Sequence, residues 1–186
     1  MHSGHERDGV CHLSTNPAPS FLFPLDVKKW AVAWTKSKCE KALAEHLDQH
    51  SIPNYLPMSI RRRVYGGRIR QSLIPVFSGY VFFDAAVATD RSVIFSSRHA
   101  ADILYPSDEI ELQQDLANLA RALQSDGSLR ESRASQIGRV VTISRGTLKG
   151  LTGEIVRLGN EARLIVRVRF LSKAAELEID DAFIDL

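Results

Sequence analysis

Two groups of side chains in this 186-residue chain have types and spacings that bear on metal binding. His2, His5, Cys11 and His12 lie close together near the start, in a stretch rich in Gly, Ser, Asn and Pro. A segment of that composition loses chain entropy when it closes around an ion, and the spacing matches no ordered site. His46 and His50 stand one helical turn apart, so both rings share a face. A zinc-protease helix needs a glutamate directly after the first of these histidines, and Leu47 occupies that place. Both groups are read as metal-free, and no cofactor is expected.

Catalytic chemistry finds no footing either. Cys39 falls on an amphipathic stretch as a small apolar residue, and with Cys11 it gives no disulfide framework. There is no Ser-His-Asp arrangement at a known spacing, no Walker loop and no dinucleotide-binding glycine pattern, so the chain is not read as an enzyme. The remaining chemistry is that of surfaces. Arg61, Arg62 and Arg63, then Arg68 and Arg70, flank Tyr65 and a Gly66-Gly67 pair suited to a two-residue hairpin turn. Guanidinium groups pair with phosphates and stack on bases, which makes this hairpin a candidate nucleic-acid contact; a hairpin kept soluble by its charge is the alternative.

The elements that must position these groups follow from periodicity. Ile74–Asp84, IPVFSGYVFFD, joins a bend at Pro75 and Gly79 to an apolar run that needs cover on both faces, the pattern of a central strand. Lys29–Thr35 is a second strand, with Trp30 and Trp34 on one face. A helix follows from a Ser37-x-x-Glu40 capping box to about His50. Asn54–Met58 is a short strand leading into the hairpin. Ala88–Ser97 and Ser107–Leu123 read as helices, the second with Ile110 or Leu112, Leu116, Leu119 and Leu123 on one stripe, and Ala101–Tyr105 as a strand. The order strand, helix, strand, hairpin, strand, helix, strand implies an α/β sandwich with a mostly antiparallel sheet.

Composition fits this picture: 44% apolar and 25% charged residues indicate a globular protein. No apolar run is long enough to span a bilayer and no signal peptide is evident, so a cytoplasmic protein without membrane contact is expected. The overall charge of +2 hides an asymmetry. Residues 28–105 hold twelve Lys or Arg against six Asp or Glu, whereas residues 106–135 hold three against six. The basic part favours a polyanion or an acidic protein surface as neighbour. Residues 1–27 read as a disordered leader, 28–123 as a first domain, 124–136 as a polar linker, and 137–186 as a small all-β barrel of short strands and glycine turns. The fold class is α+β.

Taken together these features resemble the NusG-type transcription elongation factors, in particular specialised RfaH-like paralogues. The resemblance rests on W30-A-V-A-W34, Y55-L-P57-M, the basic hairpin and P75-V-F77-S-G79-Y80-V-F-F83. It rests further on G138-x-V140-x-x-I143-x-x-G146-x-x-x-G150-x-x-G153, which looks like a KOW motif. It implies an N-terminal NGN-like domain that binds the clamp helices of RNA polymerase through Trp34, Tyr55, Phe77 and Tyr80. It also implies an SH3-like KOW barrel carrying Gly138, Gly146, Leu148, Gly150, Leu151 and Gly153, which recruits the termination factor Rho or a small-subunit ribosomal protein. The implied function is transcription elongation or antitermination by a monomer, with possible DNA contact. Leu148 and Leu151 stand where family members often place aromatics, Ser78 replaces a common proline, and His99-Ala100 replaces a common glycine-valine pair. A KOW-type RNA-binding or ribosome-associated protein is the alternative.

Overall fold

The computed structural model describes residues 23–24, 26–27, 29–124, 129–131, 138–145, 149–158 and 161–179. The histidines and cysteine at positions 2, 5, 11 and 12, most of the 124–136 segment, and Gly146 and Leu148 lie outside the described residues.

The first sheet forms around two apolar strands. β1 (Trp30–Thr35) pairs with β5 (Tyr80–Asp84) and β6 (Ala100–Leu104), and β2 (Asn54–Tyr55) adds outside β5, all antiparallel in the order β2-β5-β1-β6. Alternation then assigns the faces. Ala31, Ala33, Val81 and Phe83 pack under α1 (Glu40–Gln49) and α2 (Arg91–Ser96), through Leu43, Leu47 and Ile94. Trp30, Val32 and Phe82 point the other way, to Leu112, Leu116 and Leu119 of α3 (Glu109–Gln124). Val81–Phe83 of the apolar run is therefore interior and covered on both sides, as its composition requires.

Between β2 and β5 the chain leaves the sheet as β3 (Met58–Tyr65) and β4 (Arg68–Pro75), a two-stranded antiparallel ribbon. Asn54–Met58 is thus not one strand: Asn54 and Tyr55 join the sheet and Met58 begins the ribbon. The end of the expected leader also belongs to the fold. Phe23 stacks on Trp30 at 5.6 Å and meets Tyr55 edge-on at 5.3 Å, and Val27 is buried.

The expected capping box does not form. α1 starts at Glu40 with Cys39 as its N-cap, so Ser37 does not cap it; Cys39 makes no side-chain cap, and Glu40 turns into the protein towards Gly79. α2 is capped instead by Asp90, which accepts from the Ser92 amide at 2.8 Å. Hydrogen bonds from Ser92 hold this carboxyl below its usual range. Asp108 accepts from Glu111 at 2.9 Å at the start of α3, and Ile110 stays exposed, so Leu112 takes the stripe.

Beyond α3 lies a second sheet. β7 (Arg130–Glu131), β8 (Arg139–Thr142), β9 (Thr152–Leu158), β10 (Glu161–Val168) and β11 (Lys173–Ile179) pair antiparallel in the order β7-β11-β10-β9-β8. The molecule is thus an α+β domain followed by a β-rich part. Within the segment read as a linker, Arg130–Glu131 pairs with Ala175 and Glu176, and Leu129 is buried. β10 ends in a 3-10 turn, Arg169–Leu171. No helix among the described residues is long and apolar enough to cross a membrane.

α3 serves both sheets. Val141, Ile143, Leu151, Leu164, Val166, Val168 and Leu177 of the second sheet join the same apolar core as Leu112, Leu116, Leu119, Trp30 and Phe82. At its edge the buried Asp115 accepts from the Arg169 amide at 2.8 Å and from that guanidinium at 2.8 Å, while Arg169 also meets Glu111 at 2.8 Å. Arg163 pairs with Glu176 at 2.6 Å, and Arg167 meets both oxygens of Glu154 at 2.8 and 2.9 Å. The two hydrogen bonds from Arg167 hold the Glu154 carboxyl below its ordinary value of 4.5.

That depressed carboxyl fixes a pH dependence. The stability it contributes is present above the unfolded value and is lost as pH falls through the folded one. Thermal unfolding followed from pH 6 down to pH 3 is expected to show a falling midpoint below about pH 4.5. In Glu154→Gln the fall is smaller; an equal fall would show that this pair is not responsible.

Candidate interaction surface at Trp34 and the arginine hairpin

Trp34 and Tyr80 are direct partners across β1 and β5, on the face that carries Trp30, Val32 and Phe82. That face is sealed by α3 over most of its area, but Trp34 is 50% exposed and Tyr80 half-buried. Two rings therefore stand partly open on a strand pair that cannot shift without breaking the core.

The turn before Tyr80 fixes them. Gly79 has φ +91, a conformation that side chains rarely adopt. Its amide donates to Glu40 Oε1 at 2.7 Å and its carbonyl accepts from the Thr35 amide at 2.8 Å. The indole of Trp34 lies against it, with Nε1 3.6 Å from where a Cβ would stand. Glu40 is itself buried, so the helix start, the turn and the indole form one rigid corner. Sequence reasoning marked Gly79 as a bend and read Glu40 as a helix cap. No local pattern reveals that its partner lies 39 residues away.

Phe77 and Tyr55 do not join this surface. Phe77 is 1% exposed and Tyr55 1%, both in the core with Val76 and Phe82. The Val76 amide donates to the Pro57 carbonyl at 2.8 Å, and the adjacent Phe77 side chain lies in the core. Tyr55 packs on Phe23 and Phe82, and its burial pushes the phenol well above its usual value. These two side chains support the surface from beneath, in the core.

The hairpin is as open as the charge pattern requires. Gly66 and Gly67 have φ +55 and +77, the paired positive values of a tight two-residue turn. Arg61, Arg62, Arg63, Arg68 and Arg70 are all exposed. Arg61, Arg63, Arg68 and Arg70 share one face with Tyr65, since Arg63 opposes Arg70 and Tyr65 opposes Arg68. Arg63 donates to the Tyr65 hydroxyl at 3.2 Å, and Lys41 of α1 props the base by donating to the Leu73 carbonyl at 2.9 Å.

The histidine pair of α1 is occupied by backbone. His46 Nε2 lies 2.8 Å from the Val93 carbonyl and His50 Nδ1 2.8 Å from the His46 carbonyl, so each must donate there. Among the described residues no cluster of three or more metal-ligating side chains occurs. In the second sheet Gly138 is required by space: a Cβ would stand 2.2 Å from the Ile155 carbonyl oxygen, and its amide donates to Glu154 at 3.1 Å. Gly153 is similarly crowded, 2.8 Å from the Ile165 oxygen, and Gly150 has φ +83. Leu151, in the connection between β8 and β9, is 1% exposed and lies in the shared core.

The family model described as transcription termination factor nusG matches residues 28–120, half of the chain and the whole of the frame that carries Trp34, Gly79 and the hairpin. The chain belongs to the NusG family. NusG-family proteins are transcription factors of elongation and termination, and they are not enzymes. Comparison with curated proteins gives no match.

Burial divides the four aromatics in a measurable way. Phe77→Ala is expected to destabilise the domain by about 3–5 kcal/mol through the cavity it leaves. Trp34→Ala should cost far less, within about 1 kcal/mol, as a half-exposed side chain does. Chemical denaturation of the two variants checks the contrast; equal losses would show that Trp34 is structural. Gly79→Ala, forced to positive φ, is expected to lose about 1–2 kcal/mol in the same assay.

Proposed function

We propose that this chain is a transcription elongation and antitermination factor that binds RNA polymerase through Trp34 and Tyr80. The observation that carries the reading is the half-open Trp34, stacked against a pinned glycine turn beside the half-buried Tyr80, on a sheet where Trp30, Tyr55, Phe82 and Phe83 are buried. Exposed aromatics on a rigid frame are the side chains that dominate protein interfaces, because they lose little entropy on docking. Residues 28–123 form the polymerase-binding unit, reaching the clamp helices as in the specialised RfaH-like members of the family. Tyr55 and Phe77 set the shape of the surface from within.

The arginine face of the hairpin, Arg61, Arg63, Arg68 and Arg70 with Tyr65, contacts DNA held by the polymerase, with phosphates on the guanidinium groups. Residues 137–186 act as the KOW unit and engage a second protein, Rho or a small-subunit ribosomal protein, in the cytoplasm. The tight packing of Gly138 and Gly153 and the turn at Gly150 support that assignment. A second reading, an RNA-binding or ribosome-associated protein, is favoured by the five exposed arginines alone.

Trp34→Ala is expected to weaken binding to core RNA polymerase by about 1 kcal/mol or more, at least fivefold, with an unchanged circular-dichroism melt. Unchanged affinity would remove the ring surface from the polymerase contact. Salt-sensitive RNA binding with no retention on polymerase would favour the second reading.

A further inference from the structure

The hairpin has a second face that the DNA contact does not use. Opposed residues of an antiparallel ribbon share a side, and successive pairs alternate. Ile60 opposes Leu73, Arg62 opposes Gln71 and Val64 opposes Ile69, so these six project away from the four-arginine face. Ile60 is 41% exposed, Val64 70%, Ile69 69% and Leu73 45%. β3 and β4 form a two-stranded sheet of their own, so this ladder of aliphatic side chains stands clear of the core.

The chemistry of the face selects its occupant. Residues 58–75 contain five arginines and no acidic residue, and Arg62 sits at the centre of the aliphatic ladder. Covering the ladder takes Arg62 out of water, which is unfavourable unless a carboxylate meets it. A second copy of this chain would bring arginine onto arginine. Nucleic acid would find no ring to stack on and only one cation among aliphatic side chains. We infer that the Ile60, Val64, Ile69 and Leu73 face, with Arg62 at its centre, docks on an aliphatic strip of a protein surface that presents a carboxylate. That protein is the polymerase itself, and the inference rests on the polymerase reading above. The hairpin then lies at a seam, with protein on one side and DNA on the other.

The test is a double dissociation with the full chain, measuring affinity for core RNA polymerase without DNA and, separately, for a DNA fragment. Val64→Thr combined with Ile69→Thr keeps β-branched side chains on exposed sites. It is expected to lower polymerase affinity about tenfold and leave DNA affinity unchanged, and Arg62→Gln is expected to lower polymerase affinity in the same direction. Arg63→Ser with Arg68→Ser should do the reverse. If the threonine pair leaves polymerase affinity unchanged while Trp34→Ala lowers it, the second face is not a docking surface and the ring contact stands. If neither change matters, both readings fall. Loss of DNA affinity in the threonine pair would place nucleic acid on the aliphatic side and overturn the inference. Circular dichroism of each variant confirms that the ribbon and domain are folded, and a threonine pair that fails this check is replaced by Val64→Ser alone under the same criteria.

Discussion

Everything in the described structure leans on α3 being buried on two sides. Its leucines close the first sheet, and the second sheet packs into the same apolar core. A helix covered in this way leaves little room for polar side chains, yet Asp115 is among its buried residues. A buried carboxylate must be matched by donors, and Arg169 supplies both its amide and its guanidinium. The sharp 3-10 turn at Arg169–Leu171 places those two donors together. Turn, carboxylate and helix are one arrangement, and the guanidinium's further contact with Glu111 extends it along the helix.

The same constraint explains where the surface opens. α3 covers the Trp30 and Val32 end of β1, and the exposed Trp34 lies beyond the part it seals. The β1 and β5 register then sets Tyr80 opposite Trp34, and the Glu40–Gly79–Thr35 hydrogen bonds stop the turn from relaxing over the rings. At the same end of the sheet the ribbon departs at Met58 and returns at Val76, so its arginines are carried clear of the core.

Much of the frame was legible because burial leaves a periodic trace. The charge-free Tyr80–Phe83 run, the Leu112, Leu116 and Leu119 stripe and the Gly66-Gly67 turn all appear where pattern and backbone sterics put them. What was not legible is which aromatic faces out. Phe77 and Trp34 are equally hydrophobic, and only the tertiary course of the chain decides that one is sealed and the other open. The same holds for Glu40, whose spacing from Ser37 suits a cap but whose carboxylate finds a better donor in Gly79. Leu151 lies in the connection between β8 and β9, where likeness to relatives puts it, but its side chain is drawn into the hydrophobic core. The short strand Arg130–Glu131 escaped notice because two polar residues carry no periodicity; its pairing comes from the edge of β11.

That small edge strand fixes how much chain lies between α3 and the second sheet. With Arg130 seated on β11, six residue steps separate it from the end of α3 at Gln124, a contour of at most ~20 Å. Peeling away its two residues passes the anchor point to Arg139 in β8, fifteen steps from Gln124, and lengthens the leash to at most ~50 Å. A pairing of two residues thus sets the length of chain between α3 and the second sheet, while the shared core and the Asp115–Arg169 contacts hold that sheet on the helix.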